Sequence, residues 1–177
     1  MREPVTAFFH RPHRPEPAAL RVLGDAIDIA LVGLSLVLVV VMFTNVLARG
    51  FLNIDIAWNT EFGEFCLVWA TFVGAAAAAR RGAHMRITEL IEAATPQIRR
   101  GLELVTRLAI LILLGLLIWR GLLIVERTMT QEMSVLHWPV GLQYLAMPIG
   151  SLLTAIYVAY DASLLLRGEA ALAPAVE

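Results

Sequence analysis

From Ile29 to Ala48 the chain runs for twenty residues without a charge and then meets Arg49, a length that matches the hydrocarbon core of a bilayer. A helix of that length is about 30 Å long, so the stretch can cross the core once. Three further apolar stretches come after it, each with its own irregularity. Fifteen uncharged residues separate Glu64 from Arg80, about 22 Å of helix. Twelve separate Arg107 from Arg120, about 18 Å. Both are shorter than the core, so the flanking charges must sit within the membrane boundary, where arginines snorkel or pair and carboxylates need partners. The fourth stretch, Met133 to Tyr160, has the opposite fault, because its twenty-eight residues would extend about 42 Å. Trp138 and Pro139 divide it, and Pro148 is expected to kink the last span.

With 59% apolar and 16% charged residues and a mean hydropathy of +0.73, the chain cannot cover itself with polar surface as a soluble domain does. Its 177 residues leave room for about four spans and none for a catalytic domain of ordinary size. The expected fold is all-α and integral to the membrane, with four transmembrane helices at about 27–49, 61–80, 102–125 and 140–165 and amphipathic helices at the interface. Residues 1–17 and 168–177 are expected to form polar tails. A signal peptide would have an apolar core of about 7 to 15 residues behind net positive charge. The first run is longer and comes after Asp25 and Asp28, so it is expected to remain as an anchor.

All fourteen basic residues are arginine, and their distribution orients the chain. Arg2, Arg11, Arg14 and Arg21 precede the first span, Arg80, Arg81, Arg86, Arg99 and Arg100 lie between the second and third, and Arg167 lies beyond the fourth. Only Arg49 and Arg127 lie on the other side. The positive-inside rule then places both termini in the cytoplasm, with Arg80, Arg81 and His84 at the lipid headgroups. Trp58 and Trp138 at the outer end and Tyr157 and Tyr160 at the inner end suit the aromatic belts of the two interfaces. Leu20, Leu23, Ile27 and Leu31 share one helical stripe leading into the first span, and Ile87, Leu90, Ile91, Ala94 and Ile98 make a second over 85–98, a helix lying on the inner surface.

Catalysis needs a nucleophile with its base, a metal cluster, or carboxylates facing a cleft, and the sequence offers none of these. His10 and His13 lie in the proline-rich tail, and His84 and His137 are expected on opposite sides of the membrane, unable to share a haem. There is no phosphate-binding glycine loop and no nucleic-acid patch. The single cysteine, Cys66, excludes an intrachain disulfide. Neither a metal nor a cofactor is expected. The intramembrane charges Glu61, Glu64, Arg107 and Arg120 lie toward span ends instead of the midplane, which suits a scaffold better than a pore.

Ala70, Gly74 and Ala78 recur every four residues on the second span and would let another helix approach closely. Trp58, Glu61, Phe65, Trp69 and Phe72 form a bulkier stripe of the same helix, open to lipid or to a partner. Arg49 is expected to pair with Glu61 or Glu64 across the outer ends of spans one and two, since an unpaired carboxylate at that depth is costly.

The runs Asn45-Val46-Leu47-Ala48-Arg49, Trp58 with Glu61, Trp69 through Gly74-Ala75-Ala76, Arg80-Arg81-Gly82-Ala83-His84-Met85, and the late Trp138-Pro139 and Met147-Pro148-Ile149-Gly150 resemble the small membrane subunit of tripartite ATP-independent periplasmic (TRAP) transporters. The resemblance covers about residues 20–167. It implies a three-part uptake system in which a periplasmic binding protein captures an organic anion and a large membrane subunit carries it inward with sodium by an elevator-type motion. The small subunit would touch no substrate. It would pack beside the large subunit, here through Trp58, Glu61, Trp69, Ala70, Gly74 and Ala78. Its outer loops, with Asn53, Asp55, Gln131 and Glu132, would help receive the binding protein. The competing reading is a haem- or quinone-type membrane anchor of a redox complex, and a third is a small self-sufficient channel.

Overall fold

The computed structural model describes residues 17–54, 56–81 and 96–166. Both expected tails, apart from Pro17, and nearly all of the expected surface helix at 85–98 therefore lie outside the described residues. Helix α1 spans Ala18–Leu47 and runs on through a π-helical turn, Ala48–Leu52. α2 spans Trp58–Arg80, α3 Pro96–Thr128, α4 Gly141–Tyr144 and α5 Ala146–Leu166. Four stretches are long and apolar enough to cross a membrane: Ala18–Leu52, Trp58–Arg80, Gly101–Thr128 and Gly141–Leu166.

The amphipathic lead-in is continuous with the first span, because nothing between Ala18 and Leu47 breaks a helix once Arg21 N–H has bonded the Pro17 carbonyl at 3.1 Å. At its far end the helix loosens into the π turn. Asn53 then takes a left-handed conformation, φ 55°, which its short polar side chain tolerates. Asn45 Oδ1 accepts the Ile56 N–H at 3.4 Å, tying the turn to the helix it leaves. α3 is helical from Pro96, earlier than the hydropathy pattern suggests, and proline suits a helix's first turn, where its missing N–H costs nothing.

The helices form an open row: α1 lies against α2, α2 against α5, and α5 against α3. Burial follows that order. In the most apolar stretch of each span, 33% of α2 and 28% of α4–α5 is buried, against 17% of α3 and 6% of α1, as expected of two inner and two end helices. The core is thin and built from small residues. Ile27, Val73, Ala76, Ala77, Ala79 and Tyr157 are buried together, with Leu20, Leu23, Leu31, Trp69 and Leu153 packed around them. The alanines bring α2 close to both neighbours, and Gly150 brings α5 closer still. A Cβ at Gly150 would stand 2.5 Å from Phe72 Cβ and 2.8 Å from its backbone carbonyl, so the two helices touch main chain to side-chain root.

The fourth span is broken where its proline requires it. Pro148 has no N–H to give the Tyr144 carbonyl, and the helix divides at Leu145 into α4 and α5. The segment before it, 129–140, is a small hairpin. An antiparallel bridge joins Glu132 to Pro139, Met133 N–H donates to the Trp138 carbonyl at 2.9 Å, and Val140 N–H donates to the Gln131 carbonyl at 2.8 Å. His137 turns the tip with φ 54°.

Candidate functional site

At the Trp58 end of the row the hairpin leans on α2. Its tip turns the N–H groups of Val135 and Leu136 toward one carboxylate. Val135 N–H lies 3.1 and 3.0 Å from the two Glu61 oxygens, and Leu136 N–H donates to Oε2 at 2.9 Å. Successive N–H groups in a tight turn make a concavity that binds an anion, and here the anion is the chain's own. The Trp138 ring meets Phe62 and Phe65 edge-on at 6.3 and 5.7 Å, and Phe62 in turn meets Trp58 at 5.9 Å. One turn deeper, Trp69 Nε1–H donates to the Leu142 carbonyl at 3.2 Å. Trp69→Phe is expected to leave that carbonyl short of a donor and to cost about 1 kcal/mol, read as a lowered unfolding temperature in detergent.

This arrangement revises two expectations. No ion pair joins Arg49 to Glu61 or Glu64 among the described residues. Glu61 instead accepts the backbone N–H groups of Val135 and Leu136. Much of the expected partner stripe is also used internally: Glu61 and Trp69 hold the hairpin and α4, and a Cβ at Gly74 would lie 3.7 Å from Leu31 of α1. Trp58 and Ala78 stay exposed, and Ala70 is half-buried.

At the Arg80 end the charges pair within the chain. Arg80 spans two carboxylates of α1, with Nη2 2.9 Å from Asp25 Oδ1 and Nη1 3.0 Å from Asp28 Oδ2, while Arg81 Nη2 lies 2.9 Å from Asp28 Oδ1. Gly24 makes room, since a Cβ there would collide with the Arg80 side chain. Tyr157 OH donates to the Leu20 carbonyl at 3.1 Å, drawing α5 into the same corner. Arg80 is therefore not free for a lipid headgroup. Its side chain is only 13% exposed because two antiparallel helices bring the α1 acids level with it. Arg81 keeps an exposed side, and His84 lies outside the described residues. The usable signal was an acidic pair spaced i, i+3 at the start of α1 that meets the double arginine of α2. In α3, Arg107 reaches back one turn to Glu103 at 3.7 Å, and its Nη1 is buried without a hydrogen-bond partner among the described residues.

What α2 leaves uncovered is one narrow face. Thr60, Glu64, Leu67, Thr71, Ala75 and Ala78 are all exposed and recur at three- and four-residue spacing, the period of a single helical stripe. Glu64 has neither hydrogen bond nor ion pair among the described residues. Gln131 and Glu132 are exposed on the hairpin and Asn53 in the turn after α1, and Asp55 lies outside the described residues. Among the described residues no group of three or more His, Cys, Asp or Glu side chains could hold a metal.

Comparison with known proteins matches this architecture. The family model described as the DctQ component of tripartite ATP-independent periplasmic transporters matches residues 38–168. Two proteins of Haemophilus influenzae named as TRAP transporter small permease proteins are similar to it. One is 28% identical over 140 residues and the other 25% identical over 137, each alignment covering 77% of this chain and 85% of the relative. The chain is a four-helix membrane component of a transporter, not an enzyme. It belongs to the DctQ family of TRAP transporter small permeases.

Proposed function

We propose that this chain braces the large, sodium-coupled elevator subunit of a TRAP transporter and helps to dock the periplasmic binding protein that delivers an organic anion. The observation that carries the reading is the open row. It leaves an inner helix, α2, with an uncovered stripe of mainly small and polar residues at membrane depth, while Phe62 and Phe65 of that helix are turned toward the chain's own hairpin. Small residues let a second protein approach closely. A carboxylate on that stripe, Glu64, is costly against lipid and favours a partner that brings a donor. The interface is thus Thr60, Glu64, Leu67, Thr71, Ala75 and Ala78, rotated from the stripe that sequence alone suggested. Arginine bias supports cytoplasmic termini in a bacterial inner membrane, so the Trp58 end and its hairpin face the periplasm.

Cys66 is buried, so engineered cysteines carry the test. Cysteines at Thr71 and Ala75 are expected to react with a lipid-soluble maleimide in the isolated chain and to be protected in the complex. Equal labelling in both would remove α2 from the interface. A cysteine at Ser134 is expected to react with a membrane-impermeant reagent added outside spheroplasts, and protection from it would reverse the orientation.

A further inference from the structure

The hairpin tip has an architecture that a passive loop does not need. Two backbone bonds close it, from Met133 to Trp138 and from Val140 to Gln131. A ring from its base, Trp138, is seated against two rings of α2. Two N–H groups of the tip converge on a single carboxylate from another element. With the backbone so fixed, Glu132, Ser134, Val135 and His137 are exposed, and His137 Nδ1 stands 3.9 Å from Glu132 Oε2. Glu61 is the one side chain of the membrane-spanning helices that reaches the tip by hydrogen bond among the described residues.

Resting on the docking role proposed for the outer loops, we propose that Glu61 is a positioning residue for docking. Its carboxylate holds the turn 133–138 in one shape, so that the soluble binding protein meets a preformed surface and does not have to order a loop as it lands. A surface that is already ordered loses less freedom on association, and that difference appears in affinity for the partner instead of in the rate of the transport step. Glu61 acts through the turn and touches neither substrate nor ion.

The test uses the complete complex in proteoliposomes, with uptake measured against binding-protein concentration for the native chain, Glu61→Gln, Glu61→Ala, and a variant with 134–137 replaced by Gly-Ser-Gly-Ser. Amide hydrogen exchange at Val135 and Leu136 is followed in parallel. In Glu61→Ala both amides are expected to exchange faster. The apparent KM for the binding protein should rise about tenfold, the effect of having to order one or two more side chains on docking, with the maximal rate unchanged. Glu61→Gln keeps an acceptor oxygen and should lie between. Unchanged exchange in Glu61→Ala would show that Glu61 does not hold the turn, and faster exchange with an unchanged KM would show that holding it is irrelevant to docking. A fall in maximal rate alone would mark a merely structural role. If the Gly-Ser variant raises KM and Glu61→Ala does not, this proposal fails and the docking role stands. If neither does, the docking role fails with it.

Discussion

Gly150→Leu is expected to abolish the folded, monodisperse protein. The reason is geometric: the first carbon of any side chain at 150 would already stand 2.5 Å from Phe72 Cβ and 2.8 Å from the Phe72 carbonyl, and backbone cannot step aside as a flexible side chain can. α2 and α5 are the two inner helices of the row, so forcing them apart also separates the Ala76–Tyr157 core and loosens the aromatic seat of the hairpin. Overpacking costs about 1–3 kcal/mol for modest insertions and more for a leucine against main chain. Gly150→Ala is expected to fold with a lowered unfolding temperature. Ile149→Ala, one residue away on an exposed face, should change stability by less than about 0.5 kcal/mol. Thermal unfolding followed by size-exclusion chromatography in detergent separates the three. A Gly150→Leu protein as stable as the native chain would show that the α2–α5 contact is not tight in the membrane.

Arg80→Ala carries the second large effect. Its guanidinium forks between Asp25 and Asp28, and its removal leaves Asp25 with no counter-charge from α2 and Asp28 with Arg81 alone. Breaking a buried pair from one side costs about 3–5 kcal/mol. Asp25 is 61% exposed and water recovers part of that, so a loss of about 2 kcal/mol is expected. Arg80→Lys should be intermediate, because a single ammonium cannot serve two carboxylates in fork geometry. Arg80→Glu should be worse than alanine, since it adds a third negative charge to the corner. A double-mutant cycle with Asp28→Asn isolates the pair. Additive effects would mean that the two side chains do not interact in the membrane.

Much of the fold was legible because the membrane is a severe solvent. Length without charge located four spans, and Pro148 announced the break ahead of α5. Partnering was less legible. The acids of α1 and the arginines of α2 each read as interfacial, and only the antiparallel pairing of the two helices brings Asp25, Asp28, Arg80 and Arg81 level. Glu61 was visible as a carboxylate needing a partner, yet its partners are main-chain N–H groups seventy-four and seventy-five residues away, which have no signature in residue type. The small-residue line Ala70-Gly74-Ala78 was found, but its use was ambiguous. Periodicity fixes which residues share a face and not what covers it, and Gly74 is turned to α1.

The unequal lengths of α1 and α2 have a mechanical meaning for the lipid around them. The uncharged run of α1, Ile29 to Ala48, is twenty residues long and that of α2, between Glu64 and Arg80, fifteen, about 30 and 22 Å, yet the two helices lie side by side. A bilayer of one thickness cannot match both. The longer matches the core, and the shorter must draw the lipid inward or have its polar ends satisfied by protein. The chain does the latter at both ends of α2, with the hairpin over Glu61 and the α1 acids over Arg80. Neither device reaches the exposed face that carries Glu64, so lipid there would have to thin, and a neighbour that covers the face would relieve the mismatch.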